Sequence, residues 1–208
     1  LRELLLGSTS FNDISKGVAR MSRTLLSERL KELTKRGIIS KQVGEKTHHA
    51  EYQLTQAGQA LSSVVFGMAD WSQEWLQIEP SLENIDADHL MWSLRRSARP
   101  HPSLPNPFIV HIYLSDQIKE KQNAWLVFKN EQVDLCIFDH DFNVDVQIEA
   151  STRNLTCVFM GWTDFESAIK NKELIFRGPY QYTKMAQQWF GRSRLANIKK
   201  QPKELQVS

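Results

Sequence analysis

The stretch from Phe11 to Arg36, FNDISKGVARMSRTLLSERLKELTKR, constrains this chain more than any other. A short helix is expected from about Asn12 to Lys16, with the break at Gly17, because glycine takes the left-handed backbone that ends a helix without steric cost. Ser22 then caps a second helix. In that helix Leu26, Leu30 and Leu33 follow the spacing of one buried stripe, which Leu25 widens, while Thr24, Ser27, Lys31 and Lys35 fall on the other side. Two helices so joined make a helix-turn-helix. An outward face of hydroxyls and cations, with short side chains near the N-terminus, suits the major groove of double-stranded DNA. Taken alone, a helix bearing Glu28, Arg29, Lys31 and Glu32 is equally a solvated face with internal ion pairs.

Between Asn12 and Lys46 nine Lys and Arg stand against four acids, a local net charge of +5, while the whole chain of 208 residues carries only +2. Concentrated charge is what attracts phosphate. Ile38 to Val43 and Thr47 to Leu54, joined at Gly44-Glu45-Lys46, alternate as a two-stranded hairpin does, which places a wing beside the second helix. Lys41, Lys46, His48 and His49 lie on or near it, in reach of a sugar-phosphate backbone. Neighbouring side chains on a strand face opposite ways, so His48 and His49 read as exposed wing residues rather than a metal pair.

The run LRELLLGSTSFNDISKGVARMSRTLLSERLKELTKRGII, followed by EYQLTQAGQAL, resembles the HxlR-type winged helix-turn-helix regulators of bacteria over Leu1 to about Trp75. The likeness rests on the Leu-Arg-Glu-Leu-Leu opening, Phe11, the Ser22 and Leu26 to Leu33 pattern, and Tyr52-x-Leu54-Thr55-x-x-Gly58. It implies a homodimer that binds a pseudo-palindromic operator, with one recognition helix per subunit in the major groove. Helix phase and this likeness together nominate Ser22, Arg23, Thr24, Ser27 and Lys31 for the groove, and Arg20, Lys41, Lys46 and His48 for the DNA backbone. Members of the family have a further N-terminal helix, sometimes with a sensing cysteine. This chain begins in the helix after it, without an initiator methionine, so that segment is expected to lie outside the sequence.

With 41% hydrophobic residues, the chain holds enough apolar mass for a second core once a winged helix has taken the first third. No apolar run is long enough to cross a membrane and no leader pattern occurs, so a soluble, cytoplasmic protein is expected. Cys136 and Cys157, the only cysteines, form no CxxC and sit in apolar contexts, as buried reduced thiols do. From Ala57 to Leu76, the residues Leu61, Val64, Val65, Met68, Trp71, Trp75 and Leu76 recur at three and four, giving a broad apolar stripe. A second domain would cover it, or a two-fold partner; a symmetric operator favours the partner. Glu79-Pro80-Ser81 should stop that helix. It separates residues 1–80, the DNA-binding and dimerisation domain, from residues 81–208.

The second domain should open with a helix over Asp88 to Arg96, followed by a loop with four prolines in the nine residues Arg99 to Pro107. From there the period is two. Phe108 to Leu114, Ala124 to Lys129, Val133 to Phe138 and Val144 to Ile148 are expected to form an antiparallel meander. Thr163-Asp164-Phe165-Glu166 has the form of a capping box for a helix through Ile169, and a last strand over Leu174 to Arg177 precedes a helix from about Gln181 to Phe190.

The order VDLCIFDHDFNVDVQIEASTRNLTCVFMGWTDFESAIKNKELIFRGP resembles the sterol-carrier-protein-like domain that some HxlR-type regulators carry. The matching pieces are Val144-Asp145-Val146, Leu155 with Gly161, the Ala168 helix, and the Leu174 to Gly178 strand leading to a helix with Trp189. The chain is thus expected to be α+β: a winged helix-turn-helix domain, then a sterol-carrier-like antiparallel sheet covered by helices. That likeness implies an apolar tunnel able to take a small hydrophobic ligand. Asp139-His140-Asp141 stands where the usual glycine precedes the Val144 strand. Trp125, Phe128, Phe138, Phe159, Trp162 and Phe176 are the candidate lining, against the plainer role of core aromatics. The side chains of Asp139, His140 and Asp141 diverge in a turn with no further ligand identifiable, and no nucleophile elbow, phosphate loop or zinc signature occurs. No catalytic residue, metal or cofactor is expected. Three functions stay open: a ligand-modulated regulator, a regulator with a purely structural second domain, and a carrier of hydrophobic molecules.

Overall fold

The computed structural model describes residues 1–43 and 50–207. The chain is α+β and divides into two units, Leu1–Leu76 and Gln77–Ser208. In the first, helices α1 (Arg2–Leu5), α2 (Phe11–Gly17) and α3 (Arg23–Lys35) precede strands β1 (Ile39–Val43) and β2 (Ala50–Leu54), then α4 (Gln56–Ala60) and α5 (Ser62–Trp75). β1 and β2 pair antiparallel, Ile39 opposite Leu54 and Lys41 opposite Tyr52. Residues 9 and 10 extend this sheet: the Tyr52 amide donates to the Thr9 carbonyl at 2.8 Å, and Ser10 bridges Glu51. Leu4, Ile14, Leu26, Leu30, Ile39 and Tyr52 form one small core that ties all the elements from α1 to β2 together. The hairpin tip, with Lys46, His48 and His49, lies outside the described residues.

Two expectations for this unit change. Gly17 is the last residue of α2 and is buried, with no left-handed backbone. A Cβ there would collide with the side chain of buried Glu3, which ion-pairs with Arg2 at 2.9 Å. Arg2 also donates to the Gly17 carbonyl at 2.8 Å, so glycine is required by close approach between α1 and α2. Leu25 is exposed and does not widen the α3 stripe, which consists of buried Leu26 and Leu30 with Leu33 part-buried beside them.

The second unit contains α6 (Ile78–Leu82), α7 (Ala87–Ser97), β3 (Phe108–Leu114), β4 (Asn123–Lys129), β5 (Gln132–Cys136), β6 (Val146–Ala150), α8 (Thr152–Phe159), α9 (Phe165–Lys170), β7 (Leu174–Arg177), α10 (Tyr180–Lys184) and α11 (Ala186–Trp189). The sheet order is β5-β4-β3-β6-β7. β3, β4 and β5 form the expected antiparallel meander, but β6 runs parallel to β3, with Val110 opposite Val146. The wholly antiparallel sheet is therefore corrected to a mixed one. β5 ends at one edge, and residues 137–145 cross back before β6 starts, which brings β6 in along the direction of β3. Asp145 fixes the landing: its carboxylate accepts from the Ile109 amide at 2.8 Å, and its own amide donates to the Ile109 carbonyl at 2.9 Å.

Local boundaries shift as well. Pro80 lies in the first turn of α6, where its missing donor costs nothing, and the long helix has already ended at Trp75. Asp164, not Thr163, caps α9, accepting from the Ser167 amide at 2.9 Å. The last predicted helix is two short ones, broken at Met185.

One sheet face carries the core of this unit. Phe108, Val110 and Ile112 of β3 meet Leu126, Phe128, Val146, Ile148 and Leu174 there, together with Leu94, Leu155, Trp189 and Phe190 from the helices. Phe108 packs edge-on against Phe128 at 5.5 Å and Trp189 at 5.3 Å between centroids, and the Trp189 indole donates to the Tyr182 carbonyl at 2.9 Å. Cys136 and Cys157 are free and half-buried rather than fully buried, and desolvation pushes both thiols above the usual range. Among the described residues no helix is long and apolar enough to cross a membrane.

Candidate nucleic-acid interface

α3 is set by caps at both ends. Ser22 takes an extended backbone, and its hydroxyl accepts from the Leu25 amide at 3.2 Å, satisfying one of the helix's orphan donors. At the other end Gly37 is left-handed, φ 69°, and the Gly37 and Ile38 amides donate back to Thr34 and Leu33, each at 3.0 Å. This paired return stops the helix and turns the chain into β1.

A second clamp follows the wing. The Thr55 hydroxyl donates to the Gly37 carbonyl at 2.7 Å and accepts from the Gly58 amide at 3.2 Å, capping α4. A Cβ on Gly58 would strike the Ile38 carbonyl. The motif Tyr52-x-Leu54-Thr55-x-x-Gly58 thus has a physical meaning. Tyr52 enters the core, Leu54 packs beside it, and Thr55 with Gly58 locks the end of the wing against the end of α3.

On this scaffold Thr24, Glu28, Lys31 and Lys35 are exposed, and the helical repeat sets them along the side of α3 away from Leu26 and Leu30. Ser27 is half-buried at the flank of that side. Arg23 is exposed but tied to α2: its guanidinium donates to Asn12 Oδ1 at 2.9 Å and sits 4.7 Å from the centre of the Phe11 ring. The Ser22 hydroxyl is committed to the cap. Arg20 is exposed in the turn between α2 and α3, and Lys41 is exposed on β1, on the strand face of Ile39 but past the core. Lys46 and His48 lie outside the described residues. The sequence reading missed Asn12 as an anchor for Arg23, for which no local signal exists, and the role of Thr55 as a clamp, for which the TxxG spacing was the signal.

Val64, Met68 and Trp71 of α5 stand 56%, 69% and 51% exposed, spaced four and three residues apart, with Gly67 open between them. They form one apolar stripe.

Of the six candidate ligand-lining residues, three share one core cluster and three lie apart from it. Phe128 and Phe159 belong to the core and Phe176 packs against it. Trp125, three residues before Phe128 on β4, faces the other side of the sheet, stacked with His111 at 5.0 Å and near Phe142 at 6.2 Å. Trp162 is half-buried with Lys200 over its ring, and Phe138 is 69% exposed. In the Asp139-His140-Asp141 turn, Asp139 accepts from the Phe142 amide at 3.3 Å and the His140 ring packs edge-on against Phe142.

Residues 1–80 match the family model described as HxlR-like helix-turn-helix. Over 80 residues the chain is 39% identical to YvaP, an HTH-type transcriptional regulator of Bacillus subtilis, a match that spans 38% of this chain and 72% of that one. Two further Bacillus regulators, YdeP and YodB, are spanned over 59% and 67% of their lengths. The solved reduced form of YodB matches at 35% identity and a TM-score of 0.30, over 34% of this chain and 70% of that one. A fainter likeness, 14% identity and a TM-score of 0.31 over 51% of this chain and 83% of that one, links it to Sterol Carrier Protein 2 Like 2 of Aedes aegypti, too little to bear on function. With its capped second helix, its Thr55–Gly58 clamp and its identity to YvaP, the chain belongs to the HxlR-like helix-turn-helix family of transcriptional regulators.

Proposed function

We propose that the protein is a homodimeric transcriptional regulator that reads a pseudo-palindromic operator by placing α3 of each subunit in the major groove. The exposed Thr24–Lys31–Lys35 side of α3, on a helix fixed by caps at both ends, is the observation that carries this. Thr24 and Lys31 reach base edges, Ser27 lies at the margin, and Arg20 and Lys41 take phosphates. Ser22 and Arg23 act first through the cap and the α2 tether; Arg23 reaches DNA by leaving Asn12. Lys46 and His48 complete the backbone contacts from the wing.

The α5 stripe supports a two-fold partner, because a helix packing on its own copy buries Val64, Met68 and Trp71 at once. For the second unit, the interlocked Phe108–Phe128–Trp189 packing supports a structural role. The rival reading, modulation by a small hydrophobic ligand, requires that ligand to bind two conformations with different affinity. Selection from a random DNA pool tests the proposal. Enrichment of inverted half-sites about one or two helical turns apart supports it, and enrichment of single half-sites or of nothing refutes the dimeric reader. Light scattering of Met68→Lys should then report monomer where the wild type reports dimer.

A further inference from the structure

We propose that residues 191–203 form a second DNA-contacting surface, a strap that holds backbone phosphates. This rests on the DNA-binding reading above. The segment GRSRLANIKKQPK carries five cations, Arg192, Arg194, Lys199, Lys200 and Lys203, and no acid. It has little regular structure but is built in place. Gly191 is left-handed, φ 75°, and a Cβ there would strike the Ser97 carbonyl at the end of α7; Gly161 at the end of α8, φ 74°, would strike Ala196 in the same way. The Ser193 amide donates to the Phe159 carbonyl at 2.9 Å.

Leu195, Ala196 and Ile198 are half-buried along the strap, and Lys200 lies over the Trp162 ring at 5.7 Å. Arg192, Lys199 and Lys203 are exposed, and among the described residues their side chains make no ion pair or hydrogen bond. At the Gly191 end another cation is added, since exposed Arg99 folds over the end of α7 and donates to the Arg96 and Ala98 carbonyls at 2.6 and 2.9 Å.

Packing needs only the apolar residues of such a strap. A run of like charges without acids within it repels itself, and a polyanion lying against it relieves that repulsion. Asp164 is committed to the α9 cap and Glu79 to Arg153 at 2.7 Å, and one acid, Glu204, directly follows the run. No large apolar side chain is exposed within 191–203, whereas a membrane-binding surface inserts one; exposed Leu205 and Val207 lie beyond the basic run.

The test compares the full chain with its R192A/K199A/K203A variant by anisotropy across a salt series. It uses a promoter fragment the wild type selects, with phosphatidylglycerol vesicles as a separate arm. The slope of log affinity against log salt should fall by about two to three units, near 0.9 per lost phosphate contact, with base preference unchanged. A slope within about half a unit of wild type overturns the strap. So does a loss confined to vesicle binding, which assigns the charges to lipid. If the wild type selects no fragment, the α3 reading fails by itself; the strap is then judged by the slope on unselected DNA, where the same fall supports it and no change overturns it.

Discussion

The two units differ in how much of their stability comes from a core and how much from local bonds. The first has a small core, Leu4, Ile14, Leu26, Leu30, Ile39 and Tyr52, and depends on caps and close glycine contacts to hold an exposed helix face steady. The second buries a continuous block of aromatics, with Trp189, Phe108 and Phe190 wholly enclosed. In the first unit, removing one hydroxyl or adding one methyl at a clamp should disturb the α3 face; the second also has tight glycines, Gly161, Gly178 and Gly191, but there the large core carries most of the stability. A reading head needs its side chains outside and its backbone fixed, and short-range bonds do that with few buried residues.

The sharpest way to break the comparison is Trp189→Ala. It should destabilise the second unit by about 3–5 kcal/mol, in the range of large aromatic truncations, while α3 keeps its protection. Hydrogen exchange followed by mass spectrometry checks this, and loss of protection in α3 as well would mean the units do not fold separately. Leu30→Ala comes next: about 2–5 kcal/mol from the small core, with loss of DNA binding and an unaltered second transition by calorimetry. Thr55→Val keeps the shape and removes the clamp hydroxyl, so about 1–2 kcal/mol of the first unit's stability should go, seen as a lower urea midpoint. Lys41→Ala should be the mildest for folding, within about 0.5 kcal/mol, yet should flatten the salt slope of DNA binding by about 0.9. An Arg23→Ala variant with unchanged affinity and preference would mean that its tether to Asn12 and Phe11 is purely structural.

Legibility in the sequence followed the same division. The Ser22 cap and the Leu26–Leu30 spacing are local signals, and they placed α3 and the side of it away from the core, apart from Leu25, while alternation placed the described parts of the wing strands. The second unit's strands were legible from alternation, but the parallel pairing of β6 with β3 was not, because it depends on where residues 137–145 cross. Alternation also separates Trp125 from Phe128, yet it does not say which face keeps the core. Gly17 was misjudged for a related reason: what it must avoid is Glu3, a contact between α1 and α2 that no local pattern announces. At the candidate site, helix phase gave exposure, while Arg23's partners come from α2 and were hidden.

The central claim is that α3 reads base sequence. The most direct measurement is an anisotropy titration of the full-length protein against a panel of promoter fragments at two salt concentrations, alongside Thr24→Ala. The account predicts one fragment bound tightly, a preference that survives added salt, and a changed preference in the variant. Weak, equal binding to every fragment that disappears with salt and is indifferent to Thr24 would contradict it.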